Sequence, residues 1–152
     1  SAMYHFMTTF NLLGGLMAFI EPSGLVHEYW TLTLHAFLWH MMLILVGFYL
    51  IASGRGAKIL KDYRSSVVMF LVLAAMAFII NLIFWIPSEG SIKMFYVGPA
   101  ISPLAVFEQI ATTCGWYVNT PIYLAAVSLG AYLIFLPVYL WERRKKNVLP
   151  KE

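Results

Sequence analysis

The stretch YWTLTLHAFLWHMMLILVGFYLI, residues 29–51, decides the fold. It holds no Asp, Glu, Lys or Arg. At about 1.5 Å per residue, it is long enough as one helix to cross the roughly 30 Å hydrocarbon core of a bilayer. Set inside it are His35 and His40. An ionisable ring at that depth costs free energy unless it has a partner, so each histidine is a candidate for function. The remaining segments are read outward from this helix, as holding it in the membrane or building around its imidazoles.

Composition agrees. Apolar residues make up 61% of the 152 and charged residues 11%, and the mean hydropathy is +0.78. A soluble domain carries roughly 25% charged residues, so the excess apolar surface must face lipid. The length allows about four spanning helices with their loops and no sizeable soluble domain.

The spans fall at about 4–20, 29–51, 67–86 and 122–141. In the first, Gly14-Gly15 would let a neighbouring helix approach closely, and Glu21-Pro22-Ser23-Gly24 ends it with turn chemistry. Gly54 is the expected C-terminal cap of the second. A basic run from Arg55 to Arg64 follows, and the third span carries Asn81 as its strongly polar group. After a connection rich in Gly, Pro and aromatics, Ser102-Pro103 reads as an N-cap followed by proline. Apolar Phe107, Ile110, Ala111 and Cys114 then alternate with Glu108, Gln109, Thr112 and Thr113 at helical spacing. This helix, over 103–115, is too short to span and should lie in the interface or re-enter, with Cys114 buried on its apolar face. The expected fold is therefore all-α: a polytopic helical membrane protein with four transmembrane helices and one short interfacial or re-entrant helix, forming a single transmembrane domain over 1–152.

Nine of the ten Lys and Arg residues lie between Arg55 and Arg64 or after Trp141, Lys93 being the exception. The positive-inside rule then puts both termini in the cytoplasm and the connections at 21–28 and 87–121 outside. A basic tail can serve nucleic acid or anionic lipid; directly after an apolar helix it reads first as a snorkelling anchor. The chain opens Ser1-Ala2-Met3, as after a cloning remnant or a start inside a longer protein, and its first apolar run lacks the flanks of a signal peptide. Cys114 is the single cysteine, which excludes an intrachain disulfide.

His35 and His40 are five residues apart, about 500° of helical rotation, so they point roughly 140° from one another. They cannot share a metal ion from one straight helix, and no Cys–His or His–carboxylate cluster supplies further ligands; no metal and no cofactor are expected. Thr31, one turn before His35, shares its face and could orient the ring. Asn81 is expected at the depth of His35, and Asn11 deeper, near His40. Together these would form a polar pocket open to the outer face, with Glu108, Gln109, Tyr96 and Tyr117 as its lid. The competing reading is interhelical hydrogen bonding with no further role, and for Glu108 a solvated place on an interfacial helix. No glycine-rich phosphate loop, nucleophile elbow, paired-carboxylate signature or base-stacking pattern occurs, so nucleic acid is not an expected partner.

Several motifs carry a resemblance. They are Asn11-Leu12-Leu13-Gly14-Gly15 leading to Glu21-Pro22-Ser23-Gly24, the two histidines followed by Gly47-Phe48-Tyr49-Leu50-Ile51, and Asn81 late in its helix. Met94-Phe95-Tyr96-Val97-Gly98-Pro99 and Pro121-Ile122-Tyr123 complete the set. In this order they resemble the YwaF-like family of bacterial integral membrane proteins, over most of the chain. The resemblance implies a six-helix fold with two further helices before this stretch, one bearing a Leu-Cys pair. That family is similar in turn to a eukaryotic membrane acyltransferase that remodels ether phospholipids with a Cys and a His. By that likeness His40 or His35 is the base, and the nucleophilic Cys belongs to the preceding helices; Cys114 does not match its position.

Three functions follow as expectations. The first is a membrane-embedded site for a lipid or acyl group, built around the intramembrane histidines, with a thiolate nucleophile and asparagine amides at the oxyanion. The second is a module that binds or transports a small solute or proton. The third is a structural subunit whose Gly14-Gly15 face packs on a membrane-protein partner or on the preceding helices.

Overall fold

A computed structural model of the chain describes residues 1–148. Among these, every regular element is helical. α1 (Ala2–Phe6), a π-helical turn (Met7–Asn11) and α2 (Leu12–Ile20) run on as one span. A 3-10 turn (Pro22–Leu25) leads to α3 (Trp30–Ala52) and then α4 (Leu60–Phe84). A second 3-10 turn (Met94–Tyr96), α5 (Ala105–Cys114) and α6 (Trp116–Val148) complete the order. Four stretches are long and apolar enough to cross a membrane: Ala2–Ile20, Trp30–Ala52, Leu60–Phe84 and Trp116–Lys145. The all-α fold with four spans and one short helix is therefore as expected.

Several helix ends differ from expectation, each for a local reason. α4 starts at Leu60, not 67, because the Asp62 carboxylate accepts the backbone N–H groups of Lys58 (2.9 Å) and Ile59 (3.1 Å), donors that would otherwise be orphaned at the helix start. Lys61, Asp62 and Arg64 thus ride on its first turns and not in a loop. α5 starts at Ala105; Ser102 accepts Leu104 N–H at 3.3 Å in the preceding turn and does not cap the helix. α6 starts at Trp116, directly after Gly115 (φ +86), so Pro121 falls inside it. It continues to Val148, so the tail expected from Glu142 is helical that far; Lys151 lies outside the described residues. Gly54 (φ +71) ends α3 as expected. Its N–H reaches Ile51 O and that of Arg55 reaches Leu50 O, both at 3.0 Å, the Schellman closure.

The chain divides into two compact units, Ser1–Met69 with the chain from Ser128 onward, and Phe70–Val127. In the first unit, α2 and α3 pack as an antiparallel pair. A Cβ on Gly47 would meet Leu12 Cβ at 3.1 Å, and one on Gly15 would meet His40 O at 3.1 Å. The rings of Phe19 and Phe37 are 5.7 Å apart. Small residues let the helices approach where no hydrophobic force drives them together. An aromatic column runs from Phe6 through Phe10, Tyr63 and Phe135 to Tyr139, with centroids 5.3–6.4 Å apart. Tyr63 also donates to Ser128 O at 2.6 Å. In the π-turn, the Thr8 and Thr9 hydroxyls donate back to the carbonyls of Tyr4 and His5, side-chain competition that accompanies a departure from the regular helical ladder.

The second unit is organised by its long connection. Phe95 (φ +53) and Tyr96 (φ +50) sit in the left-handed region, a strained conformation for bulky side chains. Phe95 packs on Phe70, Phe78 on Trp116, and Phe107 on Tyr123. On α5, Ala111 is buried and Phe107 and Ile110 half-buried, while Glu108, Gln109, Thr112 and Thr113 are exposed, the expected amphipathic pattern. Cys114 is a correction: it is exposed, as the last residue of α5, just before the Gly115 junction with α6.

Candidate functional site

His40 is half-buried on α3. Its Nδ1 lies 2.8 Å from Ala36 O. A carbonyl oxygen can only accept, so the neutral ring must carry its proton on Nδ1, which leaves the Nε2 lone pair free as an acceptor or base. Nε2 has no hydrogen-bond partner among the described residues. The ring is thus fixed in one tautomer at the level where α2 crosses α3.

His35 differs. It is exposed, as is Thr31, and neither side chain makes a hydrogen bond among the described residues. The expected orientation of His35 by Thr31 is therefore not formed. The α2–α3 register explains the exposure: it pairs Leu12 with Gly47, Gly15 with His40 and Ile44, and Phe19 with Phe37. The next step falls near Glu21, past the end of α2, so α2 cannot cover that turn of α3. Thr33, not Thr31, is the threonine held here, accepting His27 N–H at 2.9 Å and donating to His27 O. The same register corrects Asn11. Its neighbour Leu12 packs on Gly47, about seven residues or 10 Å along the axis from His40, because α3 starts more than a turn beyond the end of α2. Asn11 is half-buried in the π-turn.

Asn81, Tyr96, Glu108, Gln109 and Tyr117 belong to the second unit. Asn81 is fully buried. It donates to Met94 O and Val97 O, both at 2.8 Å, and accepts Met94 N–H at 3.0 Å. Both amide hydrogens are committed, so Asn81 clamps the connection that carries Tyr96. Tyr96 is half-buried, and burial pushes its phenol above the ordinary value. Glu108 and Gln109 are exposed, and Tyr117 lies over Gly115, where a Cβ would stand 2.5 Å from its ring.

Sequence reasoning missed three polar features. Asn119 is 1% exposed, and its amide oxygen and nitrogen have no hydrogen-bond partner among the described residues, a costly arrangement. His5 Nε2 stands 3.7 Å from Asp62 Oδ1, and its Nδ1 is buried without a hydrogen-bond partner among the described residues. Thr8 Oγ1 accepts Ala57 N–H at 3.1 Å, tying the π-turn to the loop before α4. A signal existed for Asp62, the single acid among the basic residues 55–64. None existed for His5, at the start of an apolar run, or for Asn119, in what read as a loop.

Among the described residues no three His, Cys, Asp or Glu side chains gather closely enough to hold a metal ion. The model of the TMEM164 family matches residues 1–139. The chain belongs to the TMEM164 family. The match takes in all of α1 to α5 and most of α6, and with them every candidate residue from Asn11 to Gln109. No curated protein and no solved structure matches the chain. Membership of a membrane protein family and four candidate spans make this TMEM164-family chain a multi-pass membrane protein.

Proposed function

We propose that this chain carries the base of a membrane-embedded acyl-transfer site acting on lipid, with His40 in that role. One observation carries the reading: the Nδ1 contact with Ala36 O, on a spanning helix, leaves the Nε2 lone pair of the neutral ring without a hydrogen-bond partner among the described residues. Such a nitrogen can take the proton of an attacking thiol as sulfur adds to the carbonyl carbon of a donor lipid ester, then return it to the departing alkoxide. The likeness to the YwaF-like proteins and the ether-phospholipid acyltransferase supports this assignment, and it assigns the thiol to a helix preceding this stretch. His35 and Thr31, exposed on the same helix, are the polar groups to meet a lipid headgroup or a partner. Within the second unit, Asn81 holds the connection that carries Tyr96. In this reading both termini face the cytoplasm, as the distribution of Lys and Arg favours.

The test compares phospholipid acyl composition in cells expressing the chain in its natural context, as wild type and as His40→Gln and His35→Ala. Acyl exchange should fall at least about a hundredfold in His40→Gln, the usual weight of a general base, and persist in His35→Ala. Unchanged lipids in His40→Gln at equal expression would overturn the proposal.

A further inference from the structure

At the charged end of the first unit, a groove of about 490 Å³ opens beside the C-terminus of α3, the loop after it and the last turns of α6. Ile51, Val138 and the exposed ring of Trp141 form an apolar wall; Lys58, Glu142 and Lys145 supply charge. A second hollow of about 300 Å³ shares Lys58 and Glu142 and adds Arg143. We propose that this groove binds the phosphate headgroup of an anionic phospholipid, held by Lys58 and Lys145. The inference does not depend on the acyl-transfer reading.

Three features point to this occupant. Lys58 Nζ forms an ion pair with Glu142 Oε1 at 3.6 Å, longer than a hydrogen bond, so its three N–H donors make no hydrogen bond among the described residues. Lys58 is folded over the bare backbone of Gly54, where a Cβ would stand 3.2 Å from Nζ. Near the end of α3 the carbonyls of Tyr49, Leu50 and Ile51 are taken by Ser53, Gly54, Arg55 and Gly56 N–H, which weakens the negative helix end that would otherwise repel a phosphate. Lys145 Nζ stands 5.3 Å above the Trp141 ring, a side chain suited to the membrane–water interface. Two lysines and Arg143 against one glutamate leave the walls net positive, and the apolar wall continues into the spanning part of α6, where acyl chains would lie.

Native mass spectrometry of the detergent-solubilised full chain, with added dioleoylphosphatidylglycerol or dioleoylphosphatidylcholine, tests this. The anionic lipid should bind preferentially. Each basic side chain near a charged lipid surface is worth roughly fivefold, so K58Q/K145Q should cut that preference roughly twentyfold. E142Q, which removes the competing carboxylate, should raise it severalfold, a gain that misfolding cannot mimic. K61Q/R64Q, basic residues that do not line the groove, should leave it unchanged. Equal binding of the two lipids, an equal loss in K61Q/R64Q, or no gain in E142Q would overturn the proposal. Displacement of the lipid by millimolar glycerol phosphate would equally overturn it, in favour of a free-phosphate site.

Discussion

Gly15 of α2 and the backbone carbonyl of His40 on α3 meet with no room between them: a Cβ on residue 15 would stand 3.1 Å from that oxygen and 2.8 Å from Ile44 Cγ1. The turn that carries the candidate base is therefore also the tightest point of the hairpin. Gly15→Ala should force the helices apart and lower thermal stability by about 1–3 kcal/mol, the usual cost of overpacking. It should disturb His40 as well. Gly14→Ala is the control, since nothing lies within 4 Å of that position, and its melting temperature should not fall below wild type, Ala being the better helix former.

Asn81 satisfies two carbonyls and one N–H of the connection. Asn81→Ala strands these three groups, Val97 O buried and the two on Met94 part-buried, and should cost about 1–3 kcal/mol. Asn81→Asp should be no better, because a carboxylate has no hydrogens for Met94 O and Val97 O. Hydrogen exchange at Met94 N–H reads the result: protected in wild type, fast in both variants.

Much of the fold was legible because lipid imposes one requirement, long apolar runs that satisfy their own backbone. The extra turns at the starts of α4 and α6 were not legible, because hydropathy reports the apolar band and a capped helix continues past it. The depth of Asn11 was misjudged for a related reason. Counting from segment ends assumes helices of matched height, whereas the α2–α3 register is set by where Gly15 and Gly47 allow contact. His40 was visible as a residue, but its tautomer depends on a ring torsion toward Ala36 that no spacing rule supplies.

The turn between α2 and α3 should respond to acid. The hydroxyl and backbone N–H of Ser23 hold the Glu21 carboxyl below its usual range, and the backbone contact is 3.2 Å. A depressed carboxylate pKa means the contribution is present above the unfolded value and lost as pH falls through the folded one. The Ser23 amide resonance should therefore shift on acidification below the ordinary carboxylate range. In Glu21→Gln the shift should vanish; a titration that survives the substitution would assign it elsewhere.

Asp62 has two roles that substitution separates. As the acceptor for Lys58 and Ile59 N–H it starts α4, so Asp62→Ala should cost about 1 kcal/mol. Asp62→Asn keeps an acceptor and should cost less. The contact with His5, at 3.7 Å, is too long for a hydrogen bond, so a double-mutant cycle with His5→Gln should give coupling below about 1 kcal/mol.

The His40 tautomer is the feature on which the catalytic assignment turns, and it can be measured without any substrate. The contact with Ala36 O requires hydrogen on Nδ1, whereas an unconstrained neutral imidazole in water favours hydrogen on Nε2. Nitrogen-15 spectra of the chain labelled at histidine should thus contain one neutral ring protonated at Nδ1, and that signal should disappear in His40→Gln. His35, without a partner among the described residues, should show no such preference. Were the His40 ring found with hydrogen on Nε2, its free nitrogen would be a donor and not a base, and the role would have to pass to another residue.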